Sequence, residues 1–153
     1  MNTSIFSSLF LLVASTLSSS AFAVSDPLLG TWKTIDDRTG YSLSNVVIRK
    51  DKANQYSATI TEVRAVPGAE SQNTCSKCTG SQKNMPLVGM TTLKGLTIHP
   101  SHENEFINGV LLDPKSGEHY AARARLISNG KHLIIHGRSD GSSVGRNITW
   151  VKN

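Results

Sequence analysis

Glu118-His119-Tyr120-Ala121-Ala122-Arg123-Ala124-Arg125-Leu126-Ile127-Ser128-Asn129-Gly130-Lys131-His132-Leu133-Ile134-Ile135-His136-Gly137-Arg138 is the stretch that decides the fold. In its first half Tyr120, Ala122, Ala124 and Leu126 alternate with Arg123 and Arg125. Successive side chains of a strand point to opposite faces, so this period of two predicts a strand over 118–127 with one face buried. Asn129-Gly130 is the strongest hairpin signal in the chain, because both residue types tolerate the positive φ of a type I′ turn. A second strand follows over 131–138, with Leu133 and Ile135 facing one way and Ile134 and His136 the other.

The same grammar extends in both directions. No window holds a 3.6-residue period. Short runs rich in β-branched and aromatic residues recur instead, with turn residues between them. They predict strands at 28–35, 45–50, 55–66, 87–98 and 105–112 before the hairpin, and one from after Ser142 to Val151 behind it. Residues 67–86 read as a long loop bounded by Pro67-Gly68 and Pro86. About eight strands joined by short turns make an antiparallel meander, whose two free edges disappear when it closes on itself. The expected fold is therefore all-β, an antiparallel up-and-down barrel. Eight strands leave an interior that side chains just fill, or that holds one small ligand. Trp32, Tyr56, Ile60, Tyr120, Ala122, Ala124, Leu133, Ile135 and Trp150 are the candidate wall residues for such a ligand, or else plain core.

The beginning of the chain reads as an address. Residues 1–23 hold no Asp, Glu, Lys or Arg, and an apolar run from Ile5 to Leu17 leads to Ala21-Phe22-Ala23. That is the pattern of a Sec-type signal peptide cleaved after Ala23, shorter than the ~20 apolar residues of a spanning helix. The expectation is a periplasmic or secreted protein, with no transmembrane segment after cleavage and one domain over residues 24–153. The 16 basic and 11 acidic residues, net +5, are interspersed and form no tail or block of one sign. This argues against a nucleic-acid arm and leaves weak contact with an anionic envelope surface as a further use of the basic face.

Cys75-Ser76-Lys77-Cys78 holds the only two cysteines, and it admits three readings. In an oxidising compartment a disulfide is the default. A thioredoxin-like redox pair needs a helix start beside a βαβ unit, which neither flank supplies. A zinc site could recruit His99 and His102, although the histidine spacing departs from that of zinc fingers. Gly137-Arg138-Ser139-Asp140-Gly141 matches the G-x-S-x-G elbow of hydrolases, but an elbow needs a following helix and a later histidine, and His136 is the last. His119, His132 and His136 stand singly on or beside strands, and Asp113 is placed to cap its own turn. No motif calls for a cofactor, and no set of residues composes a catalytic site.

Four passages resemble a family of exported bacterial proteins, the domain of unknown function DUF2147. They are Gly30-Thr31-Trp32-Lys33-Thr34; Cys75 to Gly80 with Lys83 to Gly89; Gly109 to Gly117 leading to Tyr120; and Gly145-Arg146 with Thr149-Trp150. Phe106 stands where the family usually carries a tryptophan. The resemblance implies a small lipocalin-like barrel. It also implies a structural pair, because lipocalins set a Gly-x-Trp on the first strand beneath an arginine of the last. Trp32 and Arg146 are the matching positions, and a guanidinium over an indole is worth ~0.5–2 kcal/mol. The functional expectation is a non-enzymatic barrel that binds a small apolar or amphiphilic ligand. The alternative is an envelope interaction protein with a filled barrel, acting through its basic surface or the 67–86 loop.

Overall fold

The computed structural model describes residues 24–142 and 145–153. The expected leader, residues 1–23, lies outside the described residues. Eight strands follow in order: β1 (Gly30–Ile35), β2 (Ser42–Lys50), β3 (Tyr56–Val63), β4 (Thr91–His99), β5 (His102–Leu112), β6 (His119–Ile127), β7 (His132–Arg138) and β8 (Gly145–Lys152). Each pairs antiparallel with the next, and β8 returns to β1 to close the barrel. Along β6 the alternation holds: Ala122, Ala124 and Leu126 are buried while Ala121, Arg123, Arg125 and Ile127 face solvent. The β6–β7 connection differs from the expected two-residue turn. Ile127 pairs with His132, leaving a four-residue loop in which Ser128, Asn129 and Gly130 all take positive φ. The expected strand over 87–98 also starts late, at Thr91. Gly89, with φ of 90°, turns the chain there, and Leu87 to Met90 are tied as a loop to Asn73 and Ile60.

The even up-and-down order gives the barrel two unlike ends. One end carries the N-terminal segment, the β2–β3, β4–β5 and β6–β7 turns and the C-terminus. Here residues 26–29 fold across the opening and plug it. Leu28 is fully buried, and its carbonyl accepts a hydrogen bond from the Trp32 indole N–H at 2.9 Å. Asp26 accepts bonds from the Tyr56 hydroxyl at 2.6 Å and the Leu28 N–H at 3.1 Å, with the Lys50 ammonium at 3.3 Å. Phe106 meets Tyr56 edge-on, its ring centre 5.6 Å away. Burial pushes the Asp26 carboxyl up, but the Tyr56, Leu28 and Lys50 donors outweigh it and hold the group below the usual range.

The expected Trp32–Arg146 pair does not form. In the barrel seam Trp32 lies opposite Lys152, and Arg146 sits six residues back along β8, roughly 20 Å away at the strand rise. Lys152 takes the place over the indole, 5.1 Å from the ring centre, and donates to the Pro27 carbonyl. Arg146 lies at the opposite end, where it grips Asp37.

That opposite end carries the β1–β2, β5–β6 and β7–β8 turns and the long β3–β4 loop, with a short 3-10 turn at Gly80–Gln82. Cys75 and Cys78 are joined by a disulfide and buried. The loop docks on the β5–β6 turn. Gln72 donates to the Pro114 carbonyl at 2.7 Å, and the Cys75 sulfur lies 3.5 Å from the same oxygen, a contact without a proton since the thiol is oxidised. Gly117, with φ of 76°, has no room for a side chain, because a Cβ would run into the Lys77 backbone carbonyl. The zinc alternative fails on two counts. The sulfurs are bonded to each other, and His99 and His102, facing each other in the β4–β5 turn, occupy the far end of the barrel.

Candidate functional site

On β1, β2 and β8 the inward face changes character along the barrel axis. On β1 the inward series runs Trp32, Thr34, Asp36; on β8, read toward the same end, it runs Trp150, Ile148, Arg146; on β2, Ile48, Val46, Ser44. Near the plugged end these positions are apolar and packed. Near the loop end they are polar, and the interior opens into a cavity of about 220 Å³. Its apolar lining comes from Ile60, Leu111, Leu112, Ile148 and Trp150 on the strands, with Leu43, Val63, Val66, Ala69 and Leu87 around the loop end. Its wall carries Thr34, Ser44 and Thr92, and its mouth Asp36, Asp37, Arg64, Glu70, Gln72, Asp113, Lys115 and Arg146.

Of the expected wall residues, Ile60 and Trp150 line this cavity. Trp32, Tyr56, Ala124, Leu133 and Ile135 are buried in the packed core instead. Around Ala122 the interior is filled: Leu96 reaches across Gly109, where an added Cβ would lie 2.8 Å from the leucine methyl and 3.3 Å from that of Ala122. Tyr120 packs over Gly137 and sends its hydroxyl to Glu118 at 2.6 Å. Sequence reading missed Thr34, Ser44, Thr92, Ile148 and the mouth charges. Parity offered the signal: if Trp32 and Trp150 point inward, so do Thr34 and Asp36, and Ile148 and Arg146.

The mouth is held by its own polar groups. Arg146 donates to both carboxylate oxygens of Asp37 at 2.9 and 3.2 Å, tying β8 to the β1–β2 turn beyond the last β1–β8 backbone pair, Thr34–Trp150. Asp37 first, then Asp113 and Asp36, raise the Arg146 pKa. The Arg38 N–H, with the Thr39 hydroxyl, holds the Asp36 carboxyl below the usual range against its burial. Asp113 caps the β5–β6 turn through the Lys115 N–H and the Ser116 hydroxyl, as its position predicted. Deeper in, Thr34 and Ser44 share a 2.7 Å hydrogen bond and Thr92 donates to the Leu112 carbonyl at 2.8 Å. The G-x-S-x-G match falls on the end of β7 and the turn to β8, with no helix after it. Among the described residues no three His, Cys, Asp or Glu side chains group to hold a metal.

Residues 30–152 match the model of a family described as uncharacterised protein conserved in bacteria, DUF2147. The chain belongs to this family. Among solved structures the DUF2147 barrel is similar to protein HP1028 from the human pathogen Helicobacter pylori, described as belonging to the lipocalin family. The TM-score is 0.65, with 19% identity over 82% of each chain, which shows a shared lipocalin-like fold. No curated protein matches the chain. Among the described residues no helix is long and apolar enough to cross a membrane. A barrel plugged at one end and open at the other is an arrangement that can receive a small molecule from the loop side and shield its apolar part.

Proposed function

We propose that this DUF2147 protein is an exported, non-enzymatic carrier that holds a small amphiphilic ligand in the cavity at the loop end. One observation carries the reading: the barrel interior is solid near Trp32 and open near Trp150, where apolar side chains and charged groups both line the opening. The volume bounds the ligand. At about 30 Å³ per water the cavity displaces roughly seven waters, and it falls short of the ~300 Å³ at which drug-sized pockets begin. A ligand of seven to ten non-hydrogen atoms, or the end of a longer one, fits at roughly that scale. Asp36 and Asp113 cap turns and Asp37 holds Arg146, commitments that suit a binding mouth better than a general acid or base. Export is supported by the leader-like residues 1–23 and by the disulfide.

The test is native mass spectrometry of protein purified without reductant, paired with tryptophan emission. The expected result is a retained small adduct, and an emission change on ligand addition that Trp150→Phe removes. Trp32, sealed beneath Leu28 and Lys152, should report nothing. A bare protein mass with unchanged emission across a panel of small amphiphiles would sink the carrier reading. It would leave the interaction-protein reading, in which Met85 and Val88, exposed on the long loop, meet a partner.

A further inference from the structure

The polar groups around the cavity are unequal in what they have left to offer. Its donors are mostly engaged. Arg146 is on Asp37, Arg64 is on Glu62 and Ser42, and the Gln72 amide is on the Thr74 and Pro114 carbonyls. The Thr92 hydroxyl is on the Leu112 carbonyl. Its acceptors are not used up. A carboxylate offers about four lone-pair sites. Asp36 accepts from the Arg38 N–H and the Thr39 hydroxyl, and Asp113 from the Lys115 N–H and the Ser116 hydroxyl. These neutral donors satisfy lone pairs without cancelling charge. Glu70 accepts no hydrogen bond among the described residues.

Charge points the same way. With Asp37 matched by Arg146, and Arg64 turned to Glu62, the mouth keeps Asp36, Glu70 and Asp113 against Lys115. The chain as a whole is +5, so overall charge would have suggested an anionic ligand. The cavity reverses that sign locally. Asp36 matters most here: only 6% exposed, it sets a carboxylate at the rim where solvent screens it least.

Building on the carrier reading, we infer that the ligand's head group is a hydrogen-bond-donating cation, an ammonium on a short apolar body, seated against Asp36, Glu70 and Asp113 with its tail on Ile148 and Trp150. An alcohol would find the same acceptors without the charge. A carboxylate would meet like charges and few free donors.

Three six-carbon probes of matched size separate these cases: hexylammonium, hexan-1-ol and hexanoate, titrated at low salt into disulfide-intact protein. The readout is the amide shifts of Thr92 and Ile148. Hexylammonium should bind roughly three- to tenfold more tightly than hexanol, with hexanoate weakest and the advantage shrinking in high salt. Glu70→Gln, which removes no hydrogen bond, and Asp36→Asn should each weaken hexylammonium while leaving hexanol in place. Hexanoate or hexanol binding as tightly as the amine would overturn the inference and leave the carrier reading standing. So would variants that weaken all three probes alike. No shift from any probe would overturn the carrier reading itself, and the head-group inference with it.

Discussion

The two ends of this barrel are built from the same strands and do opposite things. At the plugged end, partly buried charges are matched to one another and to backbone. Asp26 is bonded to Tyr56, Leu28 and Lys50, and Lys152 lies between the Trp32 ring and the Pro27 carbonyl. At the loop end, the Asp37–Arg146 pair is about half exposed on both sides, and the interior beneath it is hollow. One end is closed by the N-terminal segment and the other is open. The difference teaches that one set of strands can be packed solid at one end and left hollow at the other, and mutations can break or sharpen it.

The largest contrast should come from apolar truncation. Trp32→Ala removes a fully buried indole and its hydrogen bond to Leu28, and is expected to cost about 3–5 kcal/mol in urea unfolding. Ile148→Ala, in the lining of an existing cavity, should cost only about 1 kcal/mol. Equal losses would mean that the loop end is packed as tightly as the plug.

Next comes the half-buried carboxylate of the plug. Asp26→Asn should cost about 2 kcal/mol at neutral pH, through weakened charge-assisted bonds to Tyr56 and Lys50. Because the folded pKa of Asp26 lies below its unfolded value, its contribution is complete above about pH 4. That contribution disappears as pH falls through the folded pKa. The gap between wild type and Asp26→Asn should therefore close in acid, as followed by unfolding midpoints at pH 7 and pH 3.

The disulfide closes a four-residue ring, and chain entropy alone gives it roughly 2 kcal/mol. Its loss in Cys75→Ser/Cys78→Ser should act locally. Hydrogen exchange should speed up across residues 72–90 and at the β5–β6 turn, with little change at the Trp32 end. Protection lost throughout the barrel would show that the loop holds the fold and does not merely roof the cavity.

The smallest effect belongs to the exposed ion pair. Arg146→Gln should change stability by less than about 1 kcal/mol. A larger loss would show that the Asp37 bridge, and not the backbone pairing below it, closes the β1–β8 seam.

Much of the fold was legible in the sequence. Strand alternation, turn chemistry and the even spacing of runs placed eight strands to within a few residues. Where the reading slipped, local geometry won over pattern. Leu87 and Met90 are apolar and buried yet lie in a loop, because Gly89 turns the chain before β4 can begin. The Asn129-Gly130 turn widened to include Ser128.

The site was less legible. Periodicity tells which face a residue occupies but says nothing of its depth along the barrel axis. Trp32 and Arg146 share the inward face, and the pairing of β1 with β8 alone puts them at opposite ends. Ala122 reads in the sequence as a ligand wall or as plain core, and Leu96, arriving from β4 to fill the space over Gly109, makes it core.

Sequence by itself determined the all-β class and the meander order, because these rest on contacts between near neighbours and on residue types that dictate turns. Tertiary structure alone decided which end is sealed and which inward residues face empty space. Those depend on the shear of the closed barrel and on side chains that meet across it from strands far apart in the chain.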